Sequence, residues 1–253
     1  MKVTEVKVGE KTMFVCDSSE KAEEAKIRND DPHAHYAIRR AEIHVELAAF
    51  RKVAKRISDV DSVLEMFGGS GWHSSIIQSL HSPTKHKALD VSGDCVASIR
   101  RSLPEVQSYK CDSYERIKSY GSGEFDWVHA DFNQLTYNRY LKEARYKDAV
   151  DKVFDMSKKW VTITDSAIFG LCRFEANRNS YVKSLGMDAH HWEDYFCKVA
   201  DVFKKKYGFG CQNVRTWHKM SAMFLFKKGV ENDFVVNHVS EKIPVKIVRI
   251  FEE

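Results

Sequence analysis

One stretch constrains this chain more than any other: Val63-Leu64-Glu65-Met66-Phe67-Gly68-Gly69-Ser70-Gly71-Trp72. A short apolar run ends in an acid, three glycines follow, and apolar residues then recur at helical spacing through Trp72, Ile76, Ile77 and Leu80. The pattern predicts a buried strand, a tight turn and an amphipathic helix. Glycines in such a turn let backbone approach a ligand without Cβ obstruction, beside the free N–H groups of a helix start. A flexible linker is not embedded between a buried strand and an amphipathic helix. A phosphate-binding loop needs G-x-x-x-x-G-K-[ST], and Gly71 is followed by Trp72-His73. The dinucleotide fingerprint G-x-G-x-x-G is met only by Gly69 and Gly71, with Ser74 in the last position.

Strand-like and helix-like segments alternate on from this turn. Ser62–Phe67, Lys87–Val91, Val106–Cys111, Phe125–Asp131 and Trp160–Thr164 read as strands. Helical patterns stand between them, one carrying Val96, Ile99 and Leu103 before Pro104, another Leu141, Ala149, Val153 and Met156. Such alternation implies a mostly parallel sheet with helices on both faces. After an amphipathic helix that stops at Gly208, Gln212–Trp217 and Ser221–Phe226 are too close for a crossover and should form an antiparallel hairpin. The expected fold is therefore α/β: a mostly parallel, seven-stranded, doubly wound sheet ending in an antiparallel hairpin. Residues 1–59 form an N-terminal extension, with a small hairpin around Gly9-Glu10-Lys11 and a long helix from Pro32 to about Ile57. The core spans 60–229, and 230–253 is expected to add a hairpin from Phe234–Val239 and Val245–Phe251. Residues 166–190 show no clear strand.

Composition narrows the class. Of 253 residues, 43% are hydrophobic and 30% charged, with 12 Gly and 4 Pro, which excludes a collagenous or disordered chain. No apolar stretch approaches a membrane span and no signal-peptide core is visible, so a soluble cytoplasmic protein is expected. The six cysteines form no C-x-x-C pair and have no zinc-ligand spacing, so reduced thiols are expected and no metal. A net charge of +4 permits a polyanionic partner without requiring one.

With these residues in view, the chain resembles the class I S-adenosylmethionine (SAM)-dependent methyltransferases over roughly residues 60–229. The family's E/D-x-F/G-x-G-x-G turn is matched by Glu65-x-Phe67-x-Gly69-x-Gly71. Its second acid, at the end of strand two, is matched by Asp90; its third, after strand three, by Asp112. The resemblance implies SAM as cofactor, held by Glu65, Phe67, Gly69, Gly71, Asp90 and Asp112, with Asp90 on the ribose hydroxyls. Asp90 and Asp112 also read as helix caps or solvated turns.

In position, the reaction-facing motif after strand four is Asp131-Phe132-Asn133. It lacks the prolines of the base amino-methylating enzymes and the Pro-Cys of cytosine C5 enzymes, and strand five ends in Thr164-Asp165 where ribose 2′-O enzymes have a lysine. Asp131 and Asn133 are the candidates to orient or deprotonate an N or O acceptor, with Phe132 as a packing or stacking surface. His129 reads as a buried, satisfied histidine, or else as a base. A nucleic-acid acceptor is favoured by the basic residues of 33–57, by Lys204-Lys205-Lys206 and by Lys227-Lys228. A small-molecule acceptor is second and a non-catalytic binding subunit third. Oligomeric state is not legible.

Overall fold

A computed structural model of the chain describes residues 3–8, 11–16, 46–131, 143–165, 192–217 and 221–238. It divides into two units, 1–48 with 239–253, and Ala49–His238. In the first, β1 (Val3–Val8) pairs antiparallel with β2 (Lys11–Cys16), the hairpin expected around Gly9-Glu10.

The larger unit holds an eight-stranded sheet: β3 (Ser62–Met66), β4 (Lys85–Asp90), β5 (Gln107–Lys110), β6 (Phe125–Asp131), β7 (Ser157–Asp165), β8 (Phe209–Trp217), β9 (Ser221–Lys228) and β10 (Val236–His238). Across the sheet the order is β10-β8-β9-β7-β6-β3-β4-β5. Strands β3 to β7 pair parallel; β9 runs antiparallel to both β7 and β8. This is the Rossmann-like, doubly wound fold with a terminal antiparallel hairpin that the sequence implies. The eighth strand is the addition: β10 lies parallel to β8 at the sheet edge, so 236–238 joins the main sheet. The other strand expected of that C-terminal hairpin lies outside the described residues.

The helices among the described residues are α1 (46–54), α2 (Trp72–His81), α3 (Gly93–Ser102), α4 (Ser113–Ile117), α5 (Glu143–Met156) and α6 (Trp192–Tyr207). Of the long helix expected to run to Ile57, the described part ends at 54 in a turn. Strand alternation sorts the sheet into two unlike faces. Leu64, Met66, Val128, Ala130, Val161 and Ile163 join Phe154 of α5 and Phe196 and Phe203 of α6 in one apolar core. The opposite face carries buried Glu65, Trp127, His129 and Thr162, with Phe50 of α1 stacked against Trp127 at 5.8 Å. Polar side chains in that position need partners, and their partners assemble the site.

The strand order reverses between β3 and β6: from β3 the chain winds outward to β4 and β5, then returns to β6 and β7 on the other side. In open α/β sheets ligands bind in the crevice beyond the carboxyl ends of the strands at such a reversal. Here those two ends are Glu65-Met66 and Ala130-Asp131.

Candidate functional site

The glycine turn sits at the end of β3 with a backbone that explains its spelling. Phe67, Gly69 and Gly71 all have positive φ, at 62°, 50° and 87°. The alternate positions of the turn are the left-handed ones, where glycine costs least and a side chain is strained. Phe67 tolerates it because its ring is half-buried against Tyr114, with centroids 5.4 Å apart. The Gly68 amide donates to the Leu89 carbonyl at 2.9 Å, tying the turn to β4.

Asp90 completes that tie from the end of β4. Its carboxylate accepts the Gly69 N–H at 2.8 Å and the Ser92 N–H at 2.7 Å. Asp112 caps α4, accepting from the Tyr114 N–H at 2.9 Å. Asp112 is thus a helix cap and Asp90 a turn acceptor two residues before the Ser92 cap of α3, and both stand at the strand-end edge of the sheet. A carboxylate carries about four acceptor sites, so a cap does not exhaust it.

Glu65 is fully buried. The Ser74 hydroxyl of α2 donates to it, and His86 Nε2 of β4 lies 3.5 Å from the same oxygen. The Gln78 side chain meets His86 Nδ1 at 2.9 Å, extending the cluster along α2. Glu65 thus joins β3, α2 and β4 behind the turn, while its second oxygen, Oε1, has no hydrogen-bond partner among the described residues.

A second polar chain runs along β6. Trp127 Nε1–H donates to Thr162 Oγ1 at 2.9 Å, and the same oxygen meets His129 Nδ1 at 2.8 Å. His129 Nε2 meets His73 Nδ1 at 3.1 Å, His73 standing in the first turn of α2. A ring nitrogen of His73 and a carboxylate oxygen of Asp131 lie within 4.8 Å of one another. Complete burial, reinforced by the neighbouring His73, holds the His129 pKa well below its ordinary 6.5, so the ring is neutral. Asp131 itself is half-exposed at the strand end. Beside it in register is Thr164, fully buried, whose hydroxyl has no hydrogen-bond partner among the described residues.

The structure therefore brings Glu65, Phe67, Gly69, Gly71, Asp90, Asp112 and Asp131 to the carboxyl ends of β3, β4, β5 and β6. Phe132 and Asn133 lie outside the described residues, as do 166–190. Sequence reasoning passes over His73, Ser74, His86 and Thr164. His73 and Ser74 stand two and three residues after Gly71, and His86 is a histidine inside a buried strand; the polar residue in an apolar setting is the available signal.

No family model and no curated protein matches the chain. Among solved structures it is similar to Streptomyces venezuelae DesVI at 18% identity and TM-score 0.37, over 46% of this chain and 49% of that one, about half its length. It is also similar to the magnesium protoporphyrin IX methyltransferase ChlM of Synechocystis PCC 6803 with bound SAH (12% identity, TM-score 0.48, 73% of this chain and 83% of that one). A third likeness is to the methyltransferase domain of bacterial CtHen1-C (15%, 0.47, 73% and 97%). These are likenesses of fold at low identity. No helix among the described residues is long and apolar enough to cross a membrane.

Proposed function

We propose that this protein is a SAM-dependent methyltransferase that transfers a methyl group to an N or O atom of a nucleic acid. The observation that carries the reading is the turn at 67–71, whose left-handed residues are Phe67, Gly69 and Gly71 and whose Gly69 amide is held by Asp90. That turn opens α2 at the point where the strand order reverses, so amide groups and an acid face one crevice. Glu65, Asp90 and Asp112 are the residues to hold the cofactor, and the chemistry SAM supplies is an electrophilic methyl on a sulfonium centre. Asp131, half-exposed at the end of β6, orients the acceptor and takes its proton, together with Asn133 and with Phe132 as a packing surface. Support for a nucleic-acid acceptor comes from Trp72, 50% exposed immediately after Gly71, which is suited to stack on a base. Free thiols at Cys95, Cys111, Cys197 and Cys211 accord with a cytoplasmic setting.

A second reading, a small-molecule acceptor, is favoured by where the lysines stand. In the sheet register Lys227 pairs with Trp160 and Lys228 with Phe209, at the opposite edge from Asp131. Lys204 and Lys206, at the end of α6, pair with Glu231 at 2.9 Å and Asp151 at 2.5 Å. Those cations do not line the strand-end crevice, so they do not argue for a polyanion there.

Calorimetric titration with SAM and S-adenosylhomocysteine, against NAD as control, tests the cofactor. Micromolar binding of both adenosyl ligands and none of NAD is expected. Radiolabelled methyl transfer to DNA, RNA and small-molecule pools then separates the two acceptor classes. Absence of SAM binding by ligand-free protein overturns the catalytic reading.

A further inference from the structure

The buried polar chain on β6 is more elaborate than packing requires. Two imidazoles, His129 fully buried and His73 at 8% exposure, meet nitrogen to nitrogen in a region otherwise walled by Phe50 and Trp127. Apolar residues of like volume would fill that space without desolvating four ring nitrogens. The hydrogen-bonded chain runs Trp127, Thr162, His129, His73, and a ring nitrogen of His73 lies within 4.8 Å of a carboxylate oxygen of Asp131, the half-exposed acid at the strand end.

The contact of His129 Nε2 with His73 Nδ1 has one consequence for the protons. With both rings neutral, a single hydrogen sits between them. If it belongs to His129, the other hydrogen of the pair is on His73 Nε2; if it belongs to His73, the other is on His129 Nδ1. Thr162 Oγ1 accepts the Trp127 N–H and can either donate to or accept from His129 Nδ1, so it suits both arrangements. A proton that enters the pair makes it cationic until it leaves again on the His73 side, because beyond His129 the chain ends at Thr162 and Trp127.

We propose that His73 and His129 are positioning residues for methyl transfer: they stand behind Asp131, and His73 draws off the proton that Asp131 takes from the acceptor. This rests on the methyltransferase reading above. In the step, the lone pair of the acceptor X–H forms the new X–CH₃ bond. The carbon–sulfur bond breaks, its electron pair returning to sulfur as S-adenosylhomocysteine leaves. The X–H proton goes to the Asp131 carboxylate, is shared with His73 while S-adenosylhomocysteine is formed, and returns through half-exposed Asp131 to water once the products leave. A carboxylate alone is a weak proton acceptor at neutral pH, and an imidazole beside it gives the proton a second place to reside during the transfer.

The test compares His73→Gln, His73→Ala and His129→Asn in the full chain, with SAM affinity by calorimetry, folding by thermal melt and transfer by single-turnover kinetics. SAM affinity within about threefold of wild type and a transfer rate down on the order of 100-fold are expected for His73→Gln. Glutamine can hydrogen-bond but cannot accept the proton, so full activity in His73→Gln would assign a packing role and overturn the proposal. Added imidazole is expected to restore part of the rate in His73→Ala, and failure to do so in folded protein counts against the proton route. If His73→Ala does not fold, His73→Gln decides the matter, and a wild-type rate in it overturns the proposal whatever His129→Asn shows. A wild-type protein that binds no SAM overturns the parent reading along with this one; one that binds and transfers, with His73 variants unaffected, overturns only this inference.

Discussion

Asp90 and Gly69 are joined by a 2.8 Å hydrogen bond from the glycine amide to the carboxylate, across two adjacent parallel strands. The acid at the end of β4 therefore fixes the shape of the turn at the end of β3. Any ligand that meets the Asp90 carboxylate also meets a turn which that carboxylate has arranged. Asp90→Ala removes the proposed ribose acceptor and loosens the turn together, so SAM affinity is expected to fall at least tenfold, with a lowered melting temperature. Asp90→Asn keeps one acceptor oxygen for the turn and is expected to melt closer to wild type while still binding SAM more weakly. Unchanged affinity in folded Asp90→Ala, by calorimetry, removes Asp90 from the cofactor site.

Gly69 and Gly71 differ in what surrounds them, and substitutions should separate stability from binding. A Cβ on Gly69 meets nothing within 4 Å, whereas one on Gly71 comes 3.0 Å from Ile99 Cγ1. Alanine at either position bears the left-handed penalty of ~1 kcal/mol. Gly71→Ala adds a clash with the α3 side chain and is expected to lose about 2–3 kcal/mol in a urea titration. Gly69→Ala should lose only about 1 kcal/mol yet bind SAM poorly, because its methyl group projects into open space above the turn. Equal stability losses in the two variants would contradict the contrast between open space at Gly69 and the Ile99 side chain at Gly71.

How much of this is legible in the sequence follows from the physics of each element. Trp72–His81 and Phe125–Asp131 are readable because long periodic runs and flanking turn residues agree. The acids at 65, 90 and 112 are readable because each closes a strand in chain order. Helix α4, five residues long, shows no period and escapes sequence reading. So does the place of β10, because three residues at a sheet edge take their partner from β8, more than twenty positions earlier. The histidine pair is half visible: His129 is a polar residue in an apolar strand, but its partner His73 lies on another element 56 residues away. Where Lys227 and Lys228 fall is not legible, because charge is local in sequence while the antiparallel run of β9 carries them to the end of the sheet away from Asp131.

The neutral state of His129 makes stability depend on pH. In the unfolded chain the ring takes up a proton near its ordinary 6.5; in the fold, burial and the adjacent His73 hold its pKa well below that. The unfolded state then binds more protons as pH falls, so its contribution is complete above about pH 6.5 and is lost progressively below it. Burial of His81 acts in the same direction, its hydrogen bond with the Ala54 carbonyl opposing. Urea titrations at pH 7.5 and 5.5 should show a loss of order 1 kcal/mol, with a slope of at most about 1.4 kcal/mol per unit for one such ring. The slope should shrink in His129→Gln; an unchanged slope would assign it to other groups.

The two acids at the ends of β6 predict opposite phenotypes. At the start, Asp126 is buried and accepts from the Asp61 N–H at 3.1 Å, the Ser62 N–H at 3.0 Å and the Ser62 hydroxyl at 2.9 Å. Burial works to raise its pKa, but those hydrogen bonds with Lys159 at 3.6 Å outweigh it and leave the carboxyl below its usual range. Asp126→Ala strands a buried amide at the start of β3 and should lose about 1–3 kcal/mol of stability. Where it stays folded, cofactor affinity should be near that of wild type, because the turn is at the other end of the strand. Asp131 is half-exposed at that far end, so Asp131→Ala should change stability little and leave SAM affinity nearly intact. Its transfer rate should drop on the order of 100-fold or more, as for loss of a group that takes the proton. Parallel melts, SAM titrations and transfer assays of the two variants read the contrast directly. A folded Asp131→Ala protein with undiminished transfer would move the proton acceptor away from the end of β6, and with it the reason for placing the reaction there.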